Sequence, residues 1–425
     1  MNPIRAVKGM NDVLPDEIGR WQHIEAAFAR SMRLHGFREV RTPYVETTGL
    51  FVRAIGEVTD VVEKEMYSFA HHGEELTLRP EGTAGVARAY VEHAVHAKEP
   101  VSRWYYTGAM FRAERPQRGR YRQFYQLGAE IYGDPGPACD AELIDMLAAF
   151  LGDLGIGDVE VLVNSLGGPL TRARYKEALV TYLTPRASEL SPDSQRRLLT
   201  SPLRILDSKS PIDQALVADA PSLHDVFDPS DRDHFASLER HLQALGTPYR
   251  IEPRLVRGLD YYTRTLFEMK GAKNKLGAGD TLLGGGRYDG MIADLGGPVV
   301  PAIGFAAGLE RLLIASDNVP SSPTVDTFVA PLGQEAVSYA LLFARDLRRL
   351  GVACEVDARG LSLKSLLRRA NYLGARVVVI LGESELRDEV VQVKDLVGHG
   401  QQRLRREEAL HAVSELLRAP TAGHP

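Results

Sequence analysis

The sequence predicts an α+β protein in which helices flank an antiparallel sheet, a small helical insertion interrupts that sheet, and a separate α/β domain follows. Three observations predict this arrangement. An arginine-rich turn at 112–122 lies between two stretches of β-branched and aromatic residues, as in a hairpin. Residues 169–245 are charged, rich in proline and helical in pattern, and the prolines predict that these helices are short. Beyond residue 326, strand and helix patterns alternate.

Size and composition predict a cytoplasmic, soluble protein of two or three domains. The chain has 425 residues, and a single core usually stops growing near ~250–300 residues. The net charge of −5 means that any contact with nucleic acid must come from local basic patches. Two cysteines far apart in the chain, at 139 and 354, favour a reducing compartment and argue against a disulfide framework or a structural metal. No apolar run approaches the ~18 residues of a membrane span, and the N-terminus has no apolar h-region.

The N-terminal region predicts a long amphipathic helix that leads into a short strand. Apolar residues recur every three or four positions across 17–35, and Gly36 follows as a stop signal. The strand at 37–41 is followed by Pro43, which cannot donate to a ladder and therefore belongs at an edge or just beyond one. This unit could form a subunit interface or an ordinary packing unit, and its residues alone leave both open.

A carboxylate stands at the turn between a predicted strand and a predicted helix. The sequence at 76–83 is Leu-Thr-Leu-Arg-Pro-Glu-Gly-Thr. Its proline and glycine bracket Glu81, and Thr83 is predicted to cap the helix that follows at 84–95. A carboxylate fixed on rigid backbone suits an ammonium group, but Glu81 could also merely complete a capping arrangement.

The arginine-rich turn is a candidate anion-binding site. Period-2 alternation after the turn places Arg122 and Gln126 on one strand face. Arg112, before the turn, can therefore share a sheet surface with Gln126. A planar guanidinium beside an amide suits a phosphate and a polar substrate. The alternative is a solvated basic hairpin or a nucleic-acid patch. The five arginines stand at positions 112, 115, 118, 120 and 122.

Residues 255–268 form a second stretch with candidate binding residues. Arg257 stands on a predicted turn that the following glycine makes flexible, and Tyr261 and Tyr262 are predicted to begin a strand. Because adjacent strand residues point to opposite faces, only one of the two tyrosines is expected to point straight into a given pocket.

Two glycine-rich stretches follow. Residues 284–290 are predicted to form a flexible turn, and residues 304–313 a strand end that runs into a helix with Arg311 in its first turns. Neither stretch matches the P-loop pattern, and no G-x-G-x-x-G opens a βαβ unit. Both of those nucleotide-binding sites are therefore disfavoured.

The last hundred residues predict a separate α/β domain after a polar, proline-bearing linker at 316–325. Between 341 and 376 the chain has eight Lys or Arg against three acidic residues. This excess suggests a polyanionic partner, although a solvated helix face is the alternative. The predicted strands lie at 326–331, 352–356, 376–381 and 390–396, and the predicted helices at 334–350, 362–373 and 406–418.

Several strings resemble the signature motifs of class II aminoacyl-tRNA synthetases. The helix, strand and Pro43, the hairpin start Phe-Arg-Ala-Glu at 111–114, and the stretch at 304–311 resemble the three class motifs. The string Arg257-Gly-Leu-Asp-Tyr-Tyr-Thr-Arg-Thr-Leu-Phe-Glu268 and the string Gly-Gly-Gly-Arg-Tyr-Asp-Gly at 284–290 resemble the histidine-specific signatures of histidyl-tRNA synthetases. The supporting strings are Lys8-Gly-Met-Asn-Asp12, Thr77-Leu-Arg-Pro-Glu-Gly-Thr83 and Leu203-Arg-Ile-Leu-Asp-Ser-Lys209.

The resemblance implies a class II catalytic domain over 1–320, with the insertion at about 169–245, and an anticodon-binding domain over 326–425. It implies that histidine and ATP, with Mg²⁺, give histidyl-adenylate and pyrophosphate, and that histidine is then transferred to the 3′ end of tRNA(His). It also implies a homodimer built through the helix and strand before Pro43. No metal ligand is assigned to the protein.

The same resemblance assigns site residues. In-line attack of a carboxylate on a phosphate brings two anions together, so fixed cations are expected around it. Arg112 and Arg257 would be the catalytic residues, gripping the α-phosphate from two sides. The expected ATP-binding residues are Arg112, Arg120 and Arg311. The expected histidine-binding residues are Glu81, Gly82, Thr83, Arg112, Gln126, Glu130, Arg257, Tyr261 and Tyr262.

Histidine specificity is expected to come from Glu130 and Tyr262, which would hydrogen-bond the two imidazole nitrogens. Glu81 and Thr83, aided by Gln126, would take the α-ammonium group. Another side chain in such a site leaves buried polar groups unpaired, which can discriminate by ~10⁴-fold or more. No editing domain is apparent, as this predicts.

For tRNA, the resemblance suggests that the hairpin loop at 115–119 contacts the acceptor end. The anticodon would meet the basic helices, including Arg368 and Arg369, and the region of Gln401 and Gln402. One departure from the family pattern is Tyr125, where many members have histidine. By strand alternation Tyr125 faces away from Gln126, so it is expected to affect packing or tRNA contact more than amino-acid binding.

Two other functions share part of this pattern. The regulatory subunit of ATP phosphoribosyltransferase keeps the synthetase fold without aminoacylating, but such relatives typically lack the C-terminal domain and lose the histidine and ATP motifs. A histidine- or RNA-sensing module would lack one of the phosphate-binding arginines. This sequence keeps the expected arginines and the C-terminal domain, which favours the ligase.

Overall fold

The computed structural model describes residues 3–56, 59, 61–206, 208, 210–257, 259, 261–272, 280–316 and 325–418. The chain divides into two compact units, Met1–Pro320 and Ser321–Pro425. Most of the linker predicted at 316–325 lies outside the described residues, as do three positions of the loop at 55–65.

The first unit begins with the predicted helix, which is confirmed. Ile24, Phe28 and Met32 bury one stripe of it, and Gly36, at a φ of +76°, follows its end. The strand after it has two residues only, fewer than predicted. The elements before the insertion are α1 (Pro15–Leu34), β1 (Arg38–Glu39), β2 (Val45–Thr47), α2 (Thr48–Ile55), β3 (Tyr67–His71), β4 (Glu74–Leu78), α3 (Thr83–Glu92), β5 (Ser102–Phe111), β6 (Gln123–Tyr132), α4 (Pro137–Asp153) and β7 (Glu160–Ser165).

The insertion contains four α-helices in its described part, joined by turns and short 3₁₀ segments. Each helix begins at a proline, whose missing N–H costs nothing at the first helical position. The expectation of short helices is wrong for two of them, which have 15 and 17 residues, because those prolines start helices instead of interrupting them. The four are α5 (Pro169–Leu183), α6 (Pro192–Thr200), α7 (Pro211–Val217) and α8 (Pro229–Leu245).

After the insertion the chain returns to the main sheet, whose eight strands have the order β1-β5-β6-β11-β10-β9-β7-β8. Neighbouring strands are antiparallel except at the two edges, where β1 is parallel to β5 and β8 to β7. The predicted antiparallel sheet with a helical insertion between its halves is confirmed. The later elements of this unit are β8 (Arg250–Ile251), β9 (Thr263–Lys270), β10 (Thr281–Arg287), α9 (Met291–Asp294), β11 (Ala302–Gly308) and α10 (Leu309–Ala315).

The two faces of the main sheet contact different clusters. Odd-numbered residues of β5 and β6, such as Tyr105 and Leu127, belong to the large core with α1, α4 and α8. Even-numbered residues, such as Met110 and Tyr132, belong to a smaller cluster with α2 and α3. A separate three-stranded sheet has the order β2-β4-β3. The candidate site lies on the even-numbered face of the main sheet.

The second unit is an α/β domain built on a five-stranded sheet with the order β13-β12-β14-β15-β16. The seven predicted elements are present, but α13 and β16 were not predicted. None of the helices in the described ranges of the chain is long and apolar enough to cross a membrane. The elements are β12 (Thr327–Pro331), α11 (Val337–Arg349), β13 (Cys354–Val356), α12 (Leu363–Tyr372), β14 (Val377–Leu381), α13 (Glu383–Arg387), β15 (Val390–Asp395), β16 (Gln401–Arg405) and α14 (Arg406–Arg418).

Candidate active site

The floor of the candidate site is made by glycines on the central strands. Register places Gly128 of β6 opposite Tyr106 of β5, and Gly304 of β11 opposite Glu130 of β6. A Cβ on Gly304 would lie 1.6 Å from Glu130 Oε2, and one on Gly128 would lie 2.4 Å from the Tyr106 hydroxyl oxygen. The absence of side chains at these two positions therefore lets larger polar groups lie flat on the sheet.

Glu130 lies at the centre of this floor and is fully buried. The hydroxyl of Tyr106 donates to its Oε1 at 3.1 Å, and the hydroxyl of Tyr288 donates to its Oε2 at 2.5 Å. Burial raises the pKa of the Glu130 carboxyl to about 8, and the nearby Glu81 contributes, although the two tyrosine hydroxyls oppose this shift. A carboxyl that titrates near pH 8 can form a hydrogen bond with an imidazole nitrogen in either protonation state.

Glu81 caps α3. Its Oε2 accepts the Thr83 N–H and its Oε1 accepts the Ala84 N–H, each at 2.8 Å. The prediction that Thr83 caps this helix is wrong, because Thr83 is already its first residue; its hydroxyl lies 3.5 Å from the Tyr106 hydroxyl instead. Burial raises the pKa of the Glu81 carboxyl, while the two backbone hydrogen bonds lower it. The capping alternative therefore holds, and lone pairs remain on Glu81 for an ammonium group.

Gly82 makes room for this arrangement beside the floor. A Cβ there would lie 2.1 Å from the Tyr106 ring, so any larger residue would push Tyr106 away from Glu130. Gly82 also precedes the first helical residue of α3. Its contribution is therefore space and backbone.

Arg112 and Gln126 lie on the same face of the sheet, as alternation predicted. Arg112 follows β5, and its guanidinium lies 5.3 Å from the centroid of the Phe124 ring. Phe124 is two residues from Gln126 on β6, so the two side chains are on the same face of the strand. Its Nε donates to the Pro80 carbonyl at 2.8 Å. The Gln126 Oε1 atom is buried and accepts no hydrogen bond from the described residues. A buried acceptor of this kind is suited to a donor on a bound substrate.

Tyr261 and Tyr262 lie together at the same pocket. Their ring centroids are 4.6 Å apart, and burial raises the pKa of both hydroxyls, with Glu81 and Glu130 adding to the shift. The expectation that only one of them could face the pocket rested on strand alternation. Both residues precede β9, so strand alternation does not apply to them.

Three of the predicted phosphate-binding arginines border one cavity of about 710 Å³: Arg112, Arg120 and Arg257. Arg257 forms an ion pair with Glu268 at 3.0 Å, and Arg120 forms one with Glu114 at 3.4 Å. Burial, the largest influence, lowers the pKa of Arg257, but the neighbouring tyrosines and Glu268 leave it raised overall. The neighbours of Arg257 at 258 and 260 lie outside the described residues.

Arg311 is not one of the residues that border this cavity. It lies in α10, and its Nε donates to the Thr281 carbonyl at 2.6 Å. The Thr281 hydroxyl donates to Glu268 at 2.8 Å, and Glu268 also accepts a hydrogen bond from Arg257. Thr281 and Glu268 therefore connect Arg311 to Arg257. Burial lowers the pKa of Arg311 and the positive charge of Arg120 lowers it further, which indicates that the two arginines lie near each other.

The N-terminal string braces the arginine-rich turn. The Arg122 N–H donates to the Gly9 carbonyl at 2.7 Å. Gly9 has a φ of +86°, and a Cβ there would lie 2.8 Å from Pro116. Arg122 thus holds the hairpin to the N-terminal segment, whereas Arg112 and Arg120 border the cavity. The five arginines do not form one cluster.

The glycines at 284–286 lie inside β10, so the predicted flexible turn is wrong there. A Cβ on Gly284 would lie 2.2 Å from Arg257, and one on Gly285 would lie 2.1 Å from the Gly304 carbonyl. These glycines are required for close approach within a sheet, a reason that sequence alone does not separate from turn formation.

Sequence reasoning missed Tyr106 and Tyr288, the two hydrogen-bond donors to Glu130. Tyr106 could have been found, because an even-numbered residue of β5 shares a face with Gln126. Tyr288 stands in the noted string at 284–290 without a role. Its neighbour Arg287 is structural, since it is fully buried in an ion pair with Asp140 at 2.6 Å.

An antiparallel sheet of this order, with arginines on its hairpin and on the helix after its last strand, and with a further α/β domain, defines a class II aminoacyl-tRNA synthetase. A family model described as histidyl-tRNA synthetase matches residues 9–312, and one described as anticodon binding domain matches residues 326–416. The chain belongs to the histidyl-tRNA synthetase family. Its activity is that of a histidine–tRNA ligase.

Curated relatives cover nearly the whole chain. It is 58% identical over 421 residues to the histidine–tRNA ligase of Sorangium cellulosum, with 99% of this chain and 98% of that protein covered. The ligase of Geobacter metallireducens is 49% identical over 384 residues, with 90% and 92% covered. Both relatives are named histidine–tRNA ligase, and each alignment covers at least 90% of this chain.

Solved structures agree in fold. Apo histidyl-tRNA synthetase from S. aureus has a TM-score of 0.82 at 33% identity, covering 97% of this chain and 100% of that one. A Bacillus halodurans protein titled ATP phosphoribosyltransferase regulatory subunit/histidyl-tRNA synthetase has a TM-score of 0.66 at 22% identity, covering 90% and 99%. The second likeness shows the fold alone, so fold does not separate the ligase from the regulatory relative.

Proposed function

We propose that the site described above joins histidine to tRNA in two steps, with the residue roles that follow. The histidine carboxylate attacks the α-phosphorus of ATP, and pyrophosphate leaves. A hydroxyl of the terminal adenosine of tRNA(His) then attacks the carbonyl of histidyl-adenylate, and AMP leaves. The observation that carries this proposal is the buried, hydrogen-bonded carboxyl of Glu130 on the same face of the sheet as Arg112, which borders a cavity together with Arg257.

Glu130 and Tyr262 would bind the imidazole ring, and Tyr261 would line the same pocket. Two hydroxyls fix the Glu130 carboxyl from opposite oxygens, so its position is set before histidine enters. A side chain without two ring nitrogens would leave these buried groups unpaired, and such sites discriminate by ~10⁴-fold or more. Tyr106 and Tyr288 would act by holding Glu130.

Glu81, Thr83 and Gln126 would take the α-ammonium group, with Gly82 providing space. Each Glu81 oxygen already accepts one backbone N–H, which orients the carboxylate and leaves further acceptor positions. The buried Gln126 Oε1 is a second acceptor. An ammonium group has three donors, so this set suits it.

Arg112 and Arg257 would hold the α-phosphate and neutralise the charge that builds up during attack. Arg120 and Arg311 would hold the outer phosphates. Fixed guanidinium groups suit this task because their planar forks match phosphate oxygens. The carbonyl of Pro80 and the carboxylate of Glu268 orient the first two arginines.

Mg²⁺ would enter with ATP and would neutralise part of the triphosphate charge when bound. In the described part of the chain, no group of three or more His, Cys, Asp or Glu could hold a metal ion. Glu114 and Glu268 stand beside the arginines, and one or two carboxylates with phosphate oxygens are a usual donor set for Mg²⁺. These two carboxylates therefore fit a Mg²⁺ ion that arrives bound to ATP.

The second unit would bind the anticodon as the domain that spans 326–425. Tyr372 of α12 is 69% exposed, and the guanidinium of Arg369 lies 5.7 Å from its ring centroid. Exposed aromatic rings beside arginines are the groups on which unpaired bases stack. Arg368 would add positive charge, and Gln401 and Gln402 lie on the edge strand β16 of the same domain.

We propose that the homodimer, which the resemblance places at the helix and strand before Pro43, also includes the three-stranded sheet β2-β4-β3 that follows Pro43, because this sheet has its apolar face outward. Register places Val45, Leu78 and Tyr67 in one row on that face, and Phe69 lies in the next row. Val45 and Phe69 are exposed, whereas Thr77, on the opposite face, is buried. An apolar outer face with a polar inner face is the reverse of an ordinary surface sheet and suits a second copy. The cytoplasm, where both buried cysteines stay reduced, is the proposed location.

The test is histidine-dependent exchange of pyrophosphate into ATP, without tRNA, for wild type, Arg257→Ala and Arg254→Ala. Arg254 is an exposed arginine three residues away and serves as the matched control. We expect strong exchange in wild type and in Arg254→Ala, and a loss of about 10²-fold or more in Arg257→Ala. Thermal unfolding checks that each variant folds. No exchange by folded wild-type protein would contradict the activity, and unchanged exchange by Arg257→Ala would contradict only the role of that arginine.

A further inference from the structure

One string noted in the sequence has no role in the site so far: Leu203-Arg-Ile-Leu-Asp-Ser-Lys209 in the insertion. Its residues 207 and 209 lie outside the described part of the chain. Arg204 and Ser208 border the same cavity of about 710 Å³ as Arg112 and Arg257. The string thus stands where the insertion meets the proposed phosphate-binding arginines.

The insertion contributes one wall of this cavity. Its seven residues come from the start of α6, from the string itself and from the turn before α7. Arginine and serine side chains dominate this wall, and its arginine guanidinium groups can donate hydrogen bonds to phosphate oxygens. The wall residues are Ser191, Pro192, Asp193, Arg197, Arg204, Ser208 and Ser210.

A single buried carboxylate, Asp213 of α7, ties these segments together. Its Oδ1 accepts the Ser191 N–H at 2.8 Å, and its Oδ2 accepts the hydroxyls of Ser191 at 2.6 Å, Ser194 at 2.7 Å and Ser208 at 2.6 Å. Asp213 has no exposed surface. Its partners belong to two wall segments that are separated by the thirteen residues between Ser194 and Ser208, so the carboxylate fixes their spacing.

The hydrogen-bond pattern suits an ionised carboxylate at this position. All four partners are donors, and an amide would present an N–H₂ group to some of them. Burial alone would raise the pKa of Asp213, but the hydrogen bonds from Ser191, Ser208 and Ser194 bring it below its ordinary value. Asp213→Asn is therefore a small change in volume that breaks the pattern.

We propose that Asp213 is a positioning residue for the ligase reaction, which holds Ser208 and the rest of the insertion wall so that Arg204 faces a phosphate-bearing substrate in the shared cavity. This proposal rests on the proposed function of Arg112 and Arg257. The phosphate would belong either to ATP or to the 3′-terminal segment of tRNA. These two sources share the same chemistry, and they enter the reaction at different steps.

The experiment compares wild type, Asp213→Asn and Asp219→Asn, an exposed aspartate that follows the same short helix. Pyrophosphate exchange without tRNA gives KM for ATP and for histidine. Single-turnover transfer from preformed histidyl-adenylate gives the dependence on tRNA concentration. We expect Asp213→Asn to raise the ATP or the tRNA requirement about fivefold or more, with KM for histidine unchanged, and Asp219→Asn to behave as wild type.

The pattern of change decides the outcome. A rise for ATP alone assigns the wall to the triphosphate, and a rise for tRNA alone assigns it to the 3′ end; either supports the proposal. A fall in kcat with every KM unchanged, or no change at all, overturns it. Ser208→Ala removes one of the hydroxyls and tests the same pattern if Asp213→Asn fails to fold. Wild-type exchange activity in the same assay separates a failure of this proposal from a failure of the proposed function.

Discussion

Glu130 shows how a single residue in this site depends on distant parts of the chain. Its hydroxyl donors come from β5 and from the residue after β10, and the glycine that makes room for it comes from β11. Burial raises the pKa of its carboxyl to about 8, from an ordinary value of 4.5. Between these two pH values the folded chain therefore holds a proton that the unfolded chain releases.

The first prediction concerns this proton. Because the folded state binds more protons between pH 4.5 and about 8, the Glu130 contribution to stability falls as pH rises through that window and levels off above it. We expect the unfolding midpoint of wild type to fall relative to that of Glu130→Gln from pH 5 to 8, with a slope of at most about 1.4 kcal/mol per pH unit in free energy. Thermal melts across this range measure it.

Glu177→Gln is the control, because Glu177 is an exposed glutamate on α5. Its melting curves should run parallel to those of wild type at every pH. Glu130→Gln should also raise KM for histidine at least about tenfold, since a hydrogen bond to a charged or strongly polar buried partner is worth ~1.5–3 kcal/mol. Parallel curves for Glu130→Gln and wild type would contradict the raised pKa.

Residue-level prediction from sequence succeeded where element boundaries were placed correctly and failed where a strand or helix begins at another residue. Strand alternation placed Arg112 with Gln126, because both belong to one hairpin. The same rule misjudged Tyr261 and Tyr262, since the strand begins only after them. The cap of α3 was assigned to Thr83 although Glu81 makes it, because the helix begins one residue earlier than its apolar pattern does.

At the scale of elements, the strands of the site are distinguished by glycines, which leave positions without side chains on the sheet. Successive strands carry glycines where polar side chains must lie against the sheet, at 128 on β6, 284 on β10 and 304 on β11. A glycine in a strand costs stability because it packs nothing and orders a flexible backbone. The space that these glycines leave is therefore functional, not structural.

The second prediction tests that space with Gly304→Ala. The new Cβ would lie 1.6 Å from Glu130 Oε2 and 2.7 Å from the Ala129 carbonyl, so Glu130 or the backbone must move. We expect a loss of about 1–3 kcal/mol in stability and a raised KM for histidine in pyrophosphate exchange. Gly152→Ala on α4, where no atom lies within 4 Å, is the matched control. It should keep activity and gain about 0.5–1 kcal/mol.

Element boundaries could be predicted where the residue at a boundary has a single structural role. The glycine after α1 ends that helix, as expected. Proline can either interrupt a helix or begin one. In the insertion it begins helices, so α5 and α8 are longer than expected. Strand β16 was missed because its residues are largely exposed and polar, so they show no apolar period.

At the scale of the whole molecule, the order of units along the chain could be predicted but the order of strands in the sheet could not. Strands β10 and β11 come after the insertion, yet they lie between β6 and β9. This placement brings Gly304 against Glu130 and Gly284 against Arg257. No local pattern carries such long-range pairing, and the family resemblance implied an antiparallel sheet without the order of its strands.

The last prediction concerns the outer face of the sheet β2-β4-β3. The exposed Phe69 of β3 would be buried against a second copy, as would Val45 of β2 on the same face, so a charge at position 69 should separate the copies. We expect wild type to sediment with twice the chain mass and Phe69→Glu to shift to the mass of one chain at micromolar concentration. Leu199→Glu, at a 77% exposed leucine of α6 on the insertion, places the same charge away from that face and should leave the mass unchanged. A wild type with the mass of a single chain, or a Phe69→Glu variant that keeps the doubled mass, would show that this face is not the subunit interface.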